Sequence, residues 1–535
     1  METPLSPLEL MRRTRRLYPD HEAVVDGALR LTYAQFFARC DRWSAVLQRQ
    51  LGIGPGDRVA YIAPNTHAQL ASFYAVPQLG AVVVPINYRL TADDFAYILT
   101  HSGAKIVCVH ADYLEMVDGI RGQLPDVVHY VALEGRDGRD GQDGRPPEGW
   151  LDYEALIAAS DGVFTRPEIS ERDLLTINYT SGTTARPKGV MITHRNAYMN
   201  TLGTLLHVPM AAIAERYLWT LPMFHANGWT FVWTVTAVGG THVCLRRVEP
   251  PKIFAELARE RITMLCAAPT VLIGIANAPD DLRRTAPAGV RVLTAGAPPA
   301  AATIQRIEQD LGWVITHVYG LTETAPFITV CEVRPGHAQL SAGDRAVIKA
   351  RQGVELISSG ELLVVDDHDR EVAHDGQTIG EIVVRGNVVM AGYYNDPEAS
   401  ATALRGGYFH SGDAAVVHPD GFVEVRDRIK DVIISGGENI SSVEVEGVLL
   451  RHPAVQEAAV VGMPSEKWGE SPHAFVILRA GMNVTEAELR QFTRDRLAHF
   501  KCPQAVHFVT ELPKTATGKI QKFVLRGNCA GIAAQ

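Results

Sequence analysis

Between Tyr179 and Val190 the chain reads YTSGTTARPKGV. Serine, threonine and glycine crowded into so short a stretch supply hydroxyls and backbone N–H groups that can wrap an anion, and Lys188 adds a positive charge beside them. The pattern is not a Walker loop, which needs glycine where Pro187 stands and serine or threonine where Gly189 stands. Four further strings follow in order: YGLTE (319 to 323), YFHSGD (408 to 413), DRIKDVIISGGENIS (427 to 441) and PKTATGK (513 to 519). They set the carboxylates of Glu323 and Asp413 and the ammonium of Lys519 among small, turn-forming residues. No HExxH or CxxC is present, so the chemistry these residues suit is phosphate handling rather than zinc catalysis.

The bulk of the sequence narrows the field. The 535 residues carry a net charge of -9, which argues against a general nucleic-acid or membrane-surface binder. The seven cysteines are scattered and unpaired in pattern, which suits reduced thiols in the cytoplasm. The first twenty residues lack a signal-peptide core, the last residues carry no peroxisomal tripeptide, and no apolar run is long enough to span a membrane.

These residues need a scaffold. Residues 34 to 51 have the spacing of an amphipathic helix, and short apolar runs follow at 58–64, 80–87 and 105–110. Such alternation predicts an α/β fold, a mainly parallel sheet with covering helices. The polar, Gly- and Pro-rich stretch 134–149 reads as a surface loop, since its aspartates lack the closing glutamate of a calcium loop. More strands are expected at 174–180, 217–222, 264–269, 290–296 and 314–320, and ligands collect beyond the carboxyl ends of such strands. The 179–190 string is expected to follow a strand and lead into a helix. From about 341 the pattern turns β-rich, and past a boundary near Lys430 a small α+β module begins.

Taken together, the five strings resemble those of the adenylate-forming superfamily, which includes acyl-CoA synthetases, peptide-synthetase adenylation domains and luciferases. The resemblance runs over nearly the whole chain. One departure is Ala185, which stands where that family usually has glycine; a left-handed backbone there would cost about 1 kcal/mol. The resemblance implies an enzyme that uses ATP to turn a carboxylic acid into an acyl-AMP and then passes the acyl group to coenzyme A. Both partners of the first step are anionic, so the site must supply positive charge and aligned donors. The resemblance assigns Thr180, Ser181, Gly182, Thr183, Thr184 and Lys188 to the phosphates, and Glu323, with Thr180 second, to Mg2+. Gly296, Ala297, His317, Tyr319 and Thr322 fall at the adenine end, Asp413 at the ribose hydroxyls and Arg428 at ribose or phosphate. Lys519 matches the lysine that stabilises charge between carboxylate and α-phosphate. Lys430 matches a hinge, so the implied organisation is an adenylation domain 1–427, a hinge 428–430 and a mobile domain 431–535. Gly436 and Gly437 would wall the pantetheine tunnel, Glu438 would assist the thiol proton, and Trp468, Phe500 and Lys501 would meet the CoA nucleotide.

LPMFHANGW, 221 to 229, matches the segment that lines the acid site, with His225, Asn227 and Trp229 toward the substrate and His225 near the carboxylate. Peptide-synthetase domains carry an aspartate directly after the phenylalanine. Here His225 stands there, so a buried ammonium would lack its partner and an amino-acid substrate is disfavoured. The 349–400 region resembles the branch of medium-chain acyl-CoA synthetases, methylthioalkanoate-CoA ligases and plant acyl-activating enzymes, which implies a short- to medium-chain or aryl acid. Two other readings stand beside this one: an acyl-AMP ligase loading a carrier protein, and a non-catalytic nucleotide-binding homologue. Against the first, no carrier domain follows Lys519; against the second, Glu323, Asp413 and Lys519 are all in place. Relatives are often dimers, so a homodimer is the expected assembly.

Overall fold

The computed structural model describes residues 2–133, 146–180, 186–297, 299–435, 438–465, 468–514 and 520–530, without the side chains of 439 and 527–530. Most of the expected 134–149 loop therefore lies outside the described residues. The first long helix, Tyr33–Arg49, begins where the Thr32 hydroxyl accepts from Gln35 N–H and the Gln35 side chain answers at Thr32 N–H, satisfying two orphan donors at once. Its apolar stripe of Phe36, Phe37, Cys40, Trp43 and Leu47 is buried in the principal core.

One sheet is centred on Val82–Ile86, Arg58–Ile62 and Ala104–Val109, which run parallel. They read VVVPI, RVAYI and AKIVCV because both faces are covered and neither has room for alternating polar residues. Leu174–Thr180 joins them in parallel next to Val82–Ile86. There the direction reverses: Lys188–Thr193 pairs antiparallel to Leu174–Thr180, and Gly392–Tyr393 antiparallel to Lys188–Thr193. The expected strand, loop and helix is thus a hairpin, and the His194–His207 helix starts only after the second strand. Lys188, Val190 and Ile192 alternate with period two against Thr180, Asn178 and Thr176, a strand signal overshadowed by the glycine-rich string before it.

A second sheet runs in the order Val354–Glu355, Phe327–Val330, Val314–Gly320, Arg291–Thr294, Met264–Ala267, Arg216–Leu218, Thr241–Val243, Glu22–Asp26, Leu29–Thr32. The strand expected over 217–222 stops at Leu218, ahead of Pro222, which cannot donate to a ladder. The β-rich part opens with a helix, Ala342–Lys349, capped by Ser341, and only then forms an antiparallel sheet of Glu361–Val365, Gly380–Arg385, Phe409–Val417 and Val423–Arg428.

The last sheet joins Glu438–Ile440, Ile433–Ser435, Gly469–Leu478, Val455–Ser465 and Ala505–Phe508. Its helices are tied back to the end of Val423–Arg428. Buried Asp427 accepts from Ser442 N–H at 2.8 Å, Lys522 lies 2.8 Å from Glu446 and 4.0 Å from Asp427, and Arg526 pairs with Asp431 at 2.8 Å. Six cysteines are free and buried among the described residues, and no described helix is long and apolar enough to cross a membrane.

Candidate active site

Thr176, Asn178 and Thr180 share one face of their strand, and Ile192, Val190 and Lys188 face them across the hairpin. Tyr393 pairs with Val190 from the other side. The Lys188 ammonium sits 4.8 Å from the centroid of the Tyr393 ring, a cation–π contact. The Tyr393 hydroxyl donates to Glu323 Oε1 at 2.9 Å, and burial together with that carboxylate pushes the phenol well above its ordinary range. Glu323 lies in the Thr322–Thr324 turn, anchored where Met390 N–H donates to its backbone carbonyl at 2.8 Å. A cation, an aromatic ring and a carboxylate thus stand in successive contact.

Thr180 and Glu323 offer hard oxygen donors, and among the described residues no group of three or more His, Cys, Asp or Glu forms a metal cage. That donor set fits Mg2+, which takes one or two carboxylates and completes its shell from phosphates and water.

The strand ending in Tyr319 leads to a second corner. Asp413 is buried; its Oδ1 pairs with Arg428 Nε at 2.8 Å and its Oδ2 accepts from the Tyr319 hydroxyl at 2.6 Å. The antiparallel register places Asp413 opposite Arg428, and Arg428 also donates to Ser411 O at 3.1 Å. Each Asp413 oxygen keeps a second lone pair, enough for two sugar hydroxyls. Burial and the neighbouring carboxylate hold the Tyr319 phenol well above its ordinary range. His317 is buried and its Nδ1 lies 3.0 Å from Ala350 O; a carbonyl only accepts, so Nδ1 carries the proton. Burial pushes that imidazole down to about 4, so it is neutral. Gly296, with φ of 92° and no atom within 4 Å of where a Cβ would point, leaves an open approach for a flat ring beside Ala297.

The 221–230 segment is held differently. Asn65 donates to Trp219 O at 2.8 Å and Leu221 O at 3.1 Å and accepts from Met223 N–H at 2.8 Å, clamping the approach to it. Ala226, Asn227, Gly228, Trp229 and Thr230 then all have positive φ, between 45° and 66°, a left-handed turn. Each ordinary L-residue held there costs about 1 kcal/mol. Gly228 is required twice over, since a Cβ would also lie 2.5 Å from Trp219 Cζ3. The turn opens just after His225, which is half-buried and pushed down to about 4 by desolvation. Trp229 is buried edge-on to Phe327, with centroids 5.6 Å apart, and Phe224 meets Tyr88 the same way at 5.4 Å. Asn227, expected toward the substrate, instead has its amide bonded to Asn178 and Thr176.

In the small domain, Ser435 pairs with Glu438 on one side and with Gly469, next to Trp468, on the other. Both Trp468 and Phe500 are exposed. Lys501 is bound to Glu444 at 2.8 Å, and Lys430 is exposed in the Ile429–Asp431 turn. Ser181, Gly182, Thr183, Thr184, Gly436, Gly437 and Lys519 lie outside the described residues. The structure therefore links Thr180, Lys188 and, through Tyr393, Glu323 in one group, and Tyr319, Asp413 and Arg428 in another. Sequence reasoning passed over Asn65, Thr176, Asn178 and Tyr393. For Asn178 the one available signal was its even spacing with Thr176 and Thr180 on a strand.

Comparison with known proteins adds independent findings. The AMP-binding enzyme family model matches residues 11–394, and the AMP-binding enzyme C-terminal domain model matches residues 444–519. The chain is 42% identical over 523 residues to 4-hydroxybutyrate–CoA ligase 2 of Metallosphaera sedula, covering 98% of this chain and 94% of that protein. It is 41% identical to the peroxisomal acetate/butyrate–CoA ligase AAE7 of Arabidopsis thaliana, covering 98% and 94%. The crystal structure of the anthranilate CoA ligase AuaEII with anthranoyl-AMP superposes with a TM-score of 0.88 at 26% identity, over 100% of both chains.

Proposed function

The chain belongs to the AMP-binding enzyme family, as an AMP-forming acid–thiol ligase that joins a carboxylic acid to coenzyme A through an acyl-adenylate, and from this premise we propose that its acid carries no charge beyond the reacting carboxylate and is either short- to medium-chain or aryl. The observation that carries the proposal is the wall behind His225: Trp229 against Phe327 and Phe224 against Tyr88, aromatic carbon with a neutral imidazole where a charged substrate would need a carboxylate. The acids named for its relatives, 4-hydroxybutyrate, acetate or butyrate, and anthranilate, fall in this size range.

In this reading the 180–184 backbone and hydroxyls and Lys188 hold the phosphates, and Glu323 and Thr180 would hold Mg2+, which neutralises phosphate charge when bound. Tyr393 orients Glu323 by its hydrogen bond. Asp413, Arg428 and Tyr319 fix the ribose and base, with Gly296, Ala297, His317 and Thr322 around the base. Neutral His225 donates a hydrogen bond to the acid's carboxylate without taking up a proton from solvent. Lys519 stabilises the charge that develops as carboxylate attacks α-phosphorus. Domain 431–535 then turns about 428–430 to withdraw Lys519, and Gly436, Gly437, Glu438, Trp468, Phe500 and Lys501 receive coenzyme A. A cytoplasmic homodimer completes the proposal, and sedimentation velocity measures that assembly.

A panel of acids graded in length and ring content, assayed for acyl-CoA and pyrophosphate with and without Mg2+, tests the substrate class. Efficient use of butyrate- to octanoate-sized or benzoate-like acids, dependent on Mg2+, is expected. Activity confined to amino acids or dicarboxylates would overturn the proposal.

A further inference from the structure

The left-handed turn that follows His225 is costly, and something must hold it. Three buried polar side chains do so in a closed ring. Thr176 Oγ1 donates to Asn178 Oδ1 at 2.7 Å, Asn178 Nδ2 donates to Asn227 Oδ1 at 3.0 Å, and Asn227 Nδ2 donates back to Thr176 Oγ1 at 3.0 Å. Each group both donates and accepts, so the ring is self-consistent and its members polarise one another in a low-dielectric interior. Thr176, Asn178 and Asn227 are at most 3% exposed, so a broken link would leave a buried polar group unpaired. Asn178 also reaches Phe224 O at 3.4 Å, directly before His225.

The ring's place matters more than its strength. Thr176 and Asn178 are on the strand that ends in Thr180 and on the same face as Thr180, four and two residues before it. Asn227 is the second residue of the left-handed turn. The ring therefore bolts the acid-carrying turn to the strand from which the phosphate-binding segment springs. No side chain of the ring needs to touch a substrate for it to set the distance and angle between the two.

We propose that Thr176, Asn178 and Asn227 are positioning residues that fix the register between the bound acid and the α-phosphate. The proposal rests on the reading that the His225–Trp229 segment carries the acid. It predicts a step-specific defect. Adenylation requires two separate molecules to meet at a set angle, whereas in thiolation the acid is already bonded to the nucleotide. An ångström of misplacement degrades the first by about 100-fold and leaves the second little changed.

The test uses the full-length protein with butyrate, ATP and supplied butyryl-AMP. Thr176→Val keeps the shape and deletes the hydroxyl, Thr176→Ser restores it, and Asn227→Gly accepts the left-handed backbone while deleting the amide. For Thr176→Val and Asn227→Gly, acid-dependent ATP–pyrophosphate exchange should fall in kcat by about 10- to 100-fold. The KM for ATP and the rate of CoA transfer from butyryl-AMP should stay within about threefold, and Thr176→Ser should recover most of the exchange. Equal losses in both half-reactions, unchanged exchange, or failure of both variants to fold would each reassign the ring to stability alone and overturn the proposal. A parallel Trp229→Ala variant keeps the premise separate: if it leaves acid KM and selectivity unaltered, the acid-carrying assignment itself is wrong.

Discussion

Around Asp413 the side chains stand on strands and do the holding themselves: an antiparallel register puts the guanidinium of Arg428 opposite the Asp413 carboxylate, and the Tyr319 phenol donates to it from a neighbouring sheet. Around His225 the backbone itself is bent into a conformation most residues avoid, and amides from a distant loop and a distant strand, Asn65 and Asn178, hold it there. On the proposed function the Asp413 corner takes the nucleotide, which a few charges carried on strands suffice to hold. The acid is where one enzyme differs from another, and a strained turn places His225 and Trp229 at angles that a regular helix or strand does not offer.

That contrast can be broken at several points. The largest effect is expected where neither region acts alone. Lys519→Ala should lower adenylation by about 100- to 1,000-fold while ATP affinity, measured by calorimetry, stays close to normal. Next is the nucleotide corner. Asp413→Ala leaves Arg428 without its buried partner and should cost about 3 kcal/mol in a denaturant melt and raise the KM for ATP at least tenfold. Asp413→Asn keeps a polar atom at each position and should cost less.

In the acid turn the sign of one comparison is diagnostic. Trp229→Ala and Trp229→Gly both open the wall facing Phe327 and should each shift selectivity toward longer acids by about tenfold or more. The glycine variant should be the more stable of the two by about 1 kcal/mol, because glycine accepts a φ of 54° without strain. If alanine proved the more stable, the left-handed turn would be wrong.

The smallest effect is a pH dependence shared by both regions. Burial pushes His194, His225 and His317 down to about 4 and His242 to about 3, below the 6.5 of an exposed imidazole. The unfolded chain therefore takes up protons first. Stability from these neutral imidazoles is complete above pH 6.5 and is lost as pH falls toward 4, so the melting temperature should decline over that window. His225→Gln should shallow the decline, and adenylation should show no inflection near pH 6.5 from His225.

The parallel strands, the chemistry-bearing strings and their order were legible because each depends on local pattern: continuous apolar runs for doubly covered strands, and side chains that act by their own charge. Glu323, Asp413, Tyr319 and Arg428 could be proposed from the sequence because they stand in strings that resemble those of the family. What was misread depends on pairing. The strand over 174–180 is read from the sequence, but the 179–190 string is then expected to lead straight to a helix and the strand Lys188–Thr193 is missed, because the polar string hides where that strand begins and only its partner's register reveals it.

By itself, then, the sequence determined the family, the reaction class and the approximate elements, since local spacing and side-chain chemistry carry that information, and it supplied the phosphate and nucleotide residues as proposals. The tertiary structure decided how the acid segment is held. Asn227 is 51 positions from Thr176, and nothing in the local sequence marks it as a neighbour of Thr176 and Asn178. Hydrogen bonds between such groups exist only once the sheet and the turn are packed, because burial is what makes each unpaired amide costly and so selects the one arrangement that pairs them all.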